Sequence, residues 1–328
     1  MKIPLAEAQQ LSVDALQHIG YNAEDTEIIS EHLIDSELRG YGIAGLARIL
    51  SIAERLADKP PAHTCIVTKD ETTTAQIDGN DTLGYLVAHR ATTLAIEKAK
   101  ATGVAAIGAN NTYYTGMLSY YAEMAAAHDL VTIIASNTSP WVAPHGTHKP
   151  LLGTNPFCVG IPTHGVPVIY DIGTSKIIHA QVLLAQRTGD PLPPDTAIDA
   201  DGNVTTDPAA ALDGALAIWG GAKGSGLAVA VQLLGVLAGS PALPPNLAEF
   251  GFFVIAVDPA RFRPIDEFKA QVEVLIEAFH GTEGADGMSA LRMPFERSNR
   301  VRERTREEGI LDVDPVVLEK LRALVDAR

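Results

Sequence analysis

The chain has 328 residues, 46% of them hydrophobic and 20% charged, with 25 Lys and Arg against 40 Asp and Glu for a net charge of −15. That balance excludes a nucleic-acid binder, which needs a basic footprint, and no apolar run is long enough to span a bilayer. The length fits two domains, or one with a substantial insertion.

Residues 4 to 58 read as helices. Leu11, Val13, Leu16 and Ile19, then Ile28, Ile29, Leu33, Ile34 and Leu38, recur at roughly helical spacing. Gly20 is expected to end the first helix and Asp25 to open the second, with a third from Leu46 to Ala57 before Lys59-Pro60-Pro61. Thr73 to Asp81 reads as a strand and then a turn. Leu83 to Gly103 reads as a helix closed by its glycine. Val104 to Asn111 is a buried strand, Ser119 to Leu130 a helix and Val131 to Ser136 another strand. This alternation points to α/β architecture.

Ser136 to Asp171 is dense in turn formers and poor in charge. A loop that long inside a compact domain is either functional or a surface connection. Strands on both sides would deliver its polar groups and Asp171 to one place. Beyond it, VLLAQRTG is helix-like, and DADGN lacks the register and closing glutamate of a calcium loop, so it reads as a turn. Leu227 to Ala238 reads as an apolar helix buried nearly all round, Gly251 to Pro259 as a strand, and residues 265 to 328 as charged helices.

Cys65 and Cys158 are far apart and lack ligand spacing, so they read as reduced thiols. With no apolar signal core at the start, the expected location is the cytoplasm. His145, His148, His164 and His179 lie in or near the central loop without a helical ligand pattern, so no metal is expected. His145 is a possible acid because histidine titrates near neutrality. No G-x-G-x-x-G follows an early strand, so the common dinucleotide fingerprint is absent. Gly220 to Gly226, GGAKGSG, is not a Walker A motif. Its glycines and lysine fit either a phosphate cradle or a tight packing turn.

SNTSPWVAPHG, PLLGTNP, DIGTS, GGAKGSGLAVAVQLL and LRMPFER resemble the signature segments of the malate/L-lactate dehydrogenase-like oxidoreductases, a family distinct from the Rossmann-type enzymes. The resemblance covers essentially the whole chain, and PLLGTNP is its most specific segment. It implies NAD or NADP as cofactor, with Lys223 in contact with it and Thr138, Asp171, Thr174 and Ser175 on the cofactor side. Pro294 and Glu296 match the family's P-G-E, with Phe295 in place of the glycine.

The substrate side departs from the family. Its SHG-x-x-R segment stands here within Arg39 to Arg48, where Gly45 and Arg48 remain but Ile43 and Ala44 replace the serine and histidine. A second family histidine aligns with Tyr114. Arg48 would pair with a substrate carboxylate. Tyr114, Arg48 and Asp171 are the candidate catalytic residues, although tyrosine is a poor acid at pH 7.

The resemblance implies an α/β fold: a cofactor domain over 73–264 with a mixed, non-Rossmann sheet, and a helical substrate and dimerisation domain from 1–72 and 265–328. A homodimer is expected. The expected activity is NAD(P)H-dependent reduction of a small 2-imino or 2-oxo carboxylate, with the imine favoured by the missing histidines. The alternatives are a 2-hydroxy-acid dehydrogenase with another acid, or a cofactor-binding protein with little catalysis.

Overall fold

The computed structural model describes residues 1–285 and 291–327. The chain opens with a short strand, β1 (Lys2–Pro4), then α1 (Leu5–Ile19), α2 (Ala23–Leu38) and α3 (Ala47–Arg55). Gly20 closes α1 at φ 112°, in the left-handed region that glycine enters freely. The helix α2 starts before Asp25: Asn22 caps it, its side chain accepting the Asp25 N–H at 2.9 Å. The apolar stripes of the three helices meet at Leu16, Ile29, Leu33, Leu46 and Ile49, all fully buried.

The strands β2 (Ile66–Asp70) and β3 (Thr74–Leu83) pair antiparallel, and α4 (Gly84–Thr102) crosses to β4 (Val104–Tyr113), which runs parallel to β3. The turn expected near Asp81 is a bulge inside β3. Asn80 and Asp81 take φ 50° and 56°, and pairing with β4 resumes at Thr82. Next come α5 (Leu118–Ala126), shorter than expected, and β5 (Val131–Ser136). Ser136 to Asp171 is not structureless: it holds β6 (Val142–Ala143) and β7 (Phe157–Ile161), and ends in β8 (Val168–Ile172). The run of β7 is only five residues among prolines and glycines, too short for a clear period.

A satellite unit follows: α6 (His179–Thr188), β9 (Ala197–Ile198), β10 (Val204–Thr205), α7 (Pro208–Asp213) and β11 (Ala215–Ala217). Asp199 Oδ1 accepts the N–H groups of Asp201 and Asn203 at 3.0 and 2.8 Å, so DADGN is a backbone turn between β9 and β10. The helix α8 (Gly221–Leu237) begins six residues before the apolar run, so most of GGAKGSG is helical. It is also not buried all round, since Leu233 and Leu237 are 60% and 66% exposed. A uniformly apolar helix gives no period from which to tell its covered face from its open one.

The strand β12 (Phe250–Val257) inserts between β4 and β5, giving the order β2-β3-β4-β12-β5-β7-β8. The sheet is mixed, β3–β4 being its one parallel pair among the described residues. After α9 (Ile265–His280), α10 (Glu296–Glu308), β13 (Ile310–Asp312) and α11 (Pro315–Asp326) return to the N-terminal helices. Ile3 pairs with Leu311 across β1 and β13, so both ends of the chain build one helical unit. Two segments cross the boundaries drawn from sequence. The sheet begins at Ile66, within 1–72, and α9 is tied to the sheet side through Lys269–Asp129 at 2.6 Å and His164–Glu273 at 2.7 Å. Periodicity marks a helix but does not say what it docks on.

Candidate active site

A cavity of about 540 Å³ opens between the helical unit and the sheet. Arg48, on the first turn of α3, reaches into it with its guanidinium 4.3 Å from the centre of the Tyr114 ring. Arg48 Nε and Nη1 are buried without a hydrogen-bond partner. Buried donors are normally paired, and a guanidinium edge offers the fork that a carboxylate fits. Ile43 and Ala44 line the same end, at the positions where the family pattern has serine and histidine.

Tyr114 follows β4 at φ 50°, a left-handed value that strains a bulky residue. Burial raises its hydroxyl pKa above the usual 10, with Arg48 and Arg187 pulling it back. Tyr114 therefore stays protonated near neutral pH and gives up its proton reluctantly.

His179 opens α6 and also lines the cavity. Its ring stacks on Trp141, centroids 3.9 Å apart and planes at 12°, and its Nδ1 is buried without a partner. Desolvation, then the charges of Arg48 and Arg187, lower its pKa to about 4, so the ring is neutral at pH 7. From sequence His179 suggests at most a metal ligand; among the described residues no group of three His, Cys, Asp or Glu could hold a metal ion. The signal that could have found it is its place, four residues after Ser175 at the opening of a helix. His145, a possible acid from the sequence, stands elsewhere. It is exposed, its backbone N–H donating to Ser225 Oγ at 2.7 Å, and it does not line the cavity.

Asp171, near the end of β8, is exposed and lines the cavity. Desolvation raises its pKa, opposed by hydrogen bonds from Ser119, whose backbone N–H donates at 2.8 Å. Thr138 lines the cavity at the centre of an interlock. Its Oγ1 accepts the Thr154 N–H at 3.1 Å, and its N–H donates to Asn155 Oδ1 at 3.3 Å. Asn155 Nδ2 donates on to Ala228 O and Gln232 Oε1 on α8, at 2.9 and 2.8 Å. A Cβ on Gly153 would stand 2.2 Å from Thr138 Oγ1, so only glycine admits this approach. Thr174 and Ser175 make hydrogen bonds within the protein. Their hydroxyls donate to Thr154 O at 3.1 Å and Ile177 O at 2.7 Å, and neither lines the cavity.

The C-terminal segment closes the other side with Arg292, Pro294 and Arg297. Glu296 works from behind, accepting the Met293 N–H at 3.0 Å and pairing with His280 at 2.7 Å. Phe295 takes φ 79°, in the left-handed region that glycine enters freely, and the Arg39 guanidinium covers its ring at 4.4 Å. Lys223 stands exposed in the first turn of α8, apart from the cavity lining. The structure thus gathers Arg48, Tyr114, Asp171, Thr138 and Pro294, adds His179, and leaves Thr174, Ser175, Glu296 and Lys223 off the lining.

One side of this cavity places the Arg48 guanidinium among aromatic rings, and the other offers two arginines. That suits a carboxylate beside a larger anionic ligand. Residues 3–322 match the family described as malate/L-lactate dehydrogenase. The L-sulfolactate dehydrogenase of Methanothermobacter thermautotrophicus is 33% identical over 98% of this chain and 95% of its own. The Delta(1)-pyrroline-2-carboxylate reductase 1 of Burkholderia ambifaria is 31% identical over 94% of this chain and 93% of its own. The solved sulfolactate dehydrogenase of Methanocaldococcus jannaschii superposes with a TM-score of 0.85 at 31% identity, covering 99% of this chain and 96% of that one. Such breadth excludes a mere shared module and sets aside the reading of a binder without catalysis: the chain belongs to the malate/L-lactate dehydrogenase family and is an oxidoreductase.

Proposed function

We propose that this protein is a reductase that delivers hydride to C2 of a small 2-imino carboxylate, with 2-oxo acids as poorer substrates. Its cofactor is NAD or NADP, as in the family's dehydrogenases. The cavity fits that group: its volume lies in the range of small-molecule sites, and Arg292 and Arg297 bring positive charge to one side. Thr138, Asp171 and Pro294 would hold it there. Lys223 is retained as the cation for phosphates that extend beyond the cavity towards the start of α8. When bound, the reduced nicotinamide supplies the hydride.

The substrate carboxylate pairs with the guanidinium of Arg48, which lines the cavity. That pairing sets C2 against the Tyr114, Trp141 and His179 end. Ile43, Trp141 and Phe250 exclude water from the reacting carbon.

The observation that carries the imine reading is the state of the acids. Tyr114 holds its proton above its usual pKa, and His179, at about 4, carries no extra proton at pH 7. A ketone acquires an alkoxide as hydride arrives and needs an acid tuned near neutrality. A protonated imine arrives already charged and leaves as a neutral amine, with no proton delivered during transfer. Asp171 provides a carboxylate towards which that positive charge is drawn. The pyrroline-carboxylate reductase among the relatives supports the same choice.

The second reading is a 2-hydroxy-acid dehydrogenase. It is favoured by His179 itself, whose neutral ring can donate a hydrogen bond to a developing alkoxide. Nicotinamide absorbance decides between them. Pyruvate with methylamine and a cyclic ketimine carboxylate are compared with pyruvate and oxaloacetate alone, and the imines should lead by about 10²–10⁴-fold, the scale of general-acid assistance. Equal or faster turnover of the free oxo acids would overturn the imine reading in favour of the second.

A further inference from the structure

The substrate end has one open cation and a wall of rings. Arg48 lines it and has no hydrogen-bond partner at Nε or Nη1, both enclosed by protein. The other arginines around the wall are engaged. Arg187 donates to Ser51 Oγ at 3.0 Å and to Glu54 Oε2 at 2.5 Å, and Arg55 donates to Asp81 at 2.9 Å and to Leu247 O at 3.2 Å. Arg292 and Arg297 stand across the cavity on the C-terminal segment, the side that suits the dinucleotide. Around Arg48 are Tyr114 at 4.3 Å, the Trp141–His179 stack, and Phe250 edge-on to Trp141 at 5.9 Å.

A second cavity of about 880 Å³ lies beside the first, and Tyr114, Trp141 and His179 line both. The ring stack is therefore a partition with open space behind it. A close-packed wall resists a bulky group, but a wall with space behind it can retreat. The second cavity also brings Glu54 and Asp213, whose carboxylates disfavour an anion.

We propose that the Trp141–His179 partition, with Arg187 held by Glu54, selects substrates whose side chain is neutral and apolar, ring-bearing groups included, against substrates carrying a second acid. Arg48 answers the one carboxylate that every substrate shares. A second carboxylate or sulfonate would meet aromatic faces, a neutral imidazole and an arginine already paired. Burying an unpaired charge there is costly. An apolar group instead displaces water from apolar surface. This deepens the reductase reading and rests on it.

The test holds the reacting group constant and varies only the side chain. Phenylpyruvate and oxaloacetate are each offered with methylamine and a reduced nicotinamide cofactor, and kcat/KM is compared. We expect phenylpyruvate to lead by ~10-fold or more, the discrimination that one unanswered charge gives. Glu54→Gln releases Arg187, and the Glu54 side chain is 63% exposed, so the exchange leaves the fold intact. It should raise kcat/KM for oxaloacetate by ~10-fold and change phenylpyruvate by less than about twofold. Trp141→Leu should narrow the gap from the other direction, by slowing phenylpyruvate. A wild-type preference for oxaloacetate, or a Glu54→Gln variant with an unchanged ratio, overturns the selectivity proposal while leaving the reductase reading in place. No turnover of either imine, with turnover of 2-hydroxy acids, overturns the reductase reading itself.

Discussion

Glu37→Gln should remove a pH-dependent weakness from the segment that carries Ile43, Ala44 and Arg48. Glu37, near the end of α2, is 7% exposed, and its Oε1 accepts the Leu46 N–H at 2.7 Å. The chain folds over it so closely that a Cβ on Gly45 would stand 2.4 Å from Oε1. Burial pushes its pKa from the usual 4.5 up to about 7, with the Leu46 N–H pulling the other way. Below pH 4.5 the carboxyl is protonated in folded and unfolded chains alike, and nothing is lost. Between 4.5 and 7 the unfolded chain releases the proton and the folded chain keeps it, so stability falls as pH rises. Above 7 both states are ionised and the full loss is in place, about 3 kcal/mol for a shift of this size. Glutamine cannot ionise, and its side-chain carbonyl still accepts from Leu46. Urea denaturation of both proteins at pH 5 and pH 8 reads the effect. The variant should lead by about 1 kcal/mol at pH 5 and by about 3 kcal/mol at pH 8. A constant difference between them across that range would refute the reasoning, because it would mean that Glu37 ionises alike in both states.

Arg48→Lys should raise the apparent KM about tenfold with little change in kcat, since an ammonium cannot reproduce the planar fork; indistinguishable steady-state kinetics would make Arg48 structural. Tyr114→Phe should damage reduction of an imine less than residual reduction of the matching ketone, measured by nicotinamide absorbance on the two substrates. Lys223→Ala should weaken the dinucleotide by about 1 kcal/mol, the scale for a solvent-screened charge, and calorimetry showing unchanged affinity would place the phosphates elsewhere. Gly235→Ala should destabilise the protein by about 1–3 kcal/mol through overpacking, because the new Cβ would sit 2.2 Å from the Asn137 amide; thermal melting of the variant checks this.

By itself the sequence determined the class of the fold and named a candidate substrate anchor. Helical periods placed α1 to α4 closely, and β-branched runs placed β4, β5 and β12, because local periodicity and caps are written in neighbouring residues. The motif segments carried the family and, with it, Arg48, Tyr114, Thr138 and Asp171 as candidates. Tertiary structure decided what those motifs do. Thr174 and Ser175 match the family pattern but give their hydroxyls to backbone carbonyls behind the cavity. PLLGTNP, the most specific segment, serves largely as an interlock of amides joining the loop to α8. His179 entered the site only when α6 brought it against Trp141 and beneath the influence of two arginines. The exposed face of α8 and the docking of α9 on the sheet side were likewise invisible. Sequence pattern records which residues share a face, through interactions between near neighbours. Which face meets which, and which polar atoms are left without partners in a cavity, depend on contacts between residues far apart in the chain.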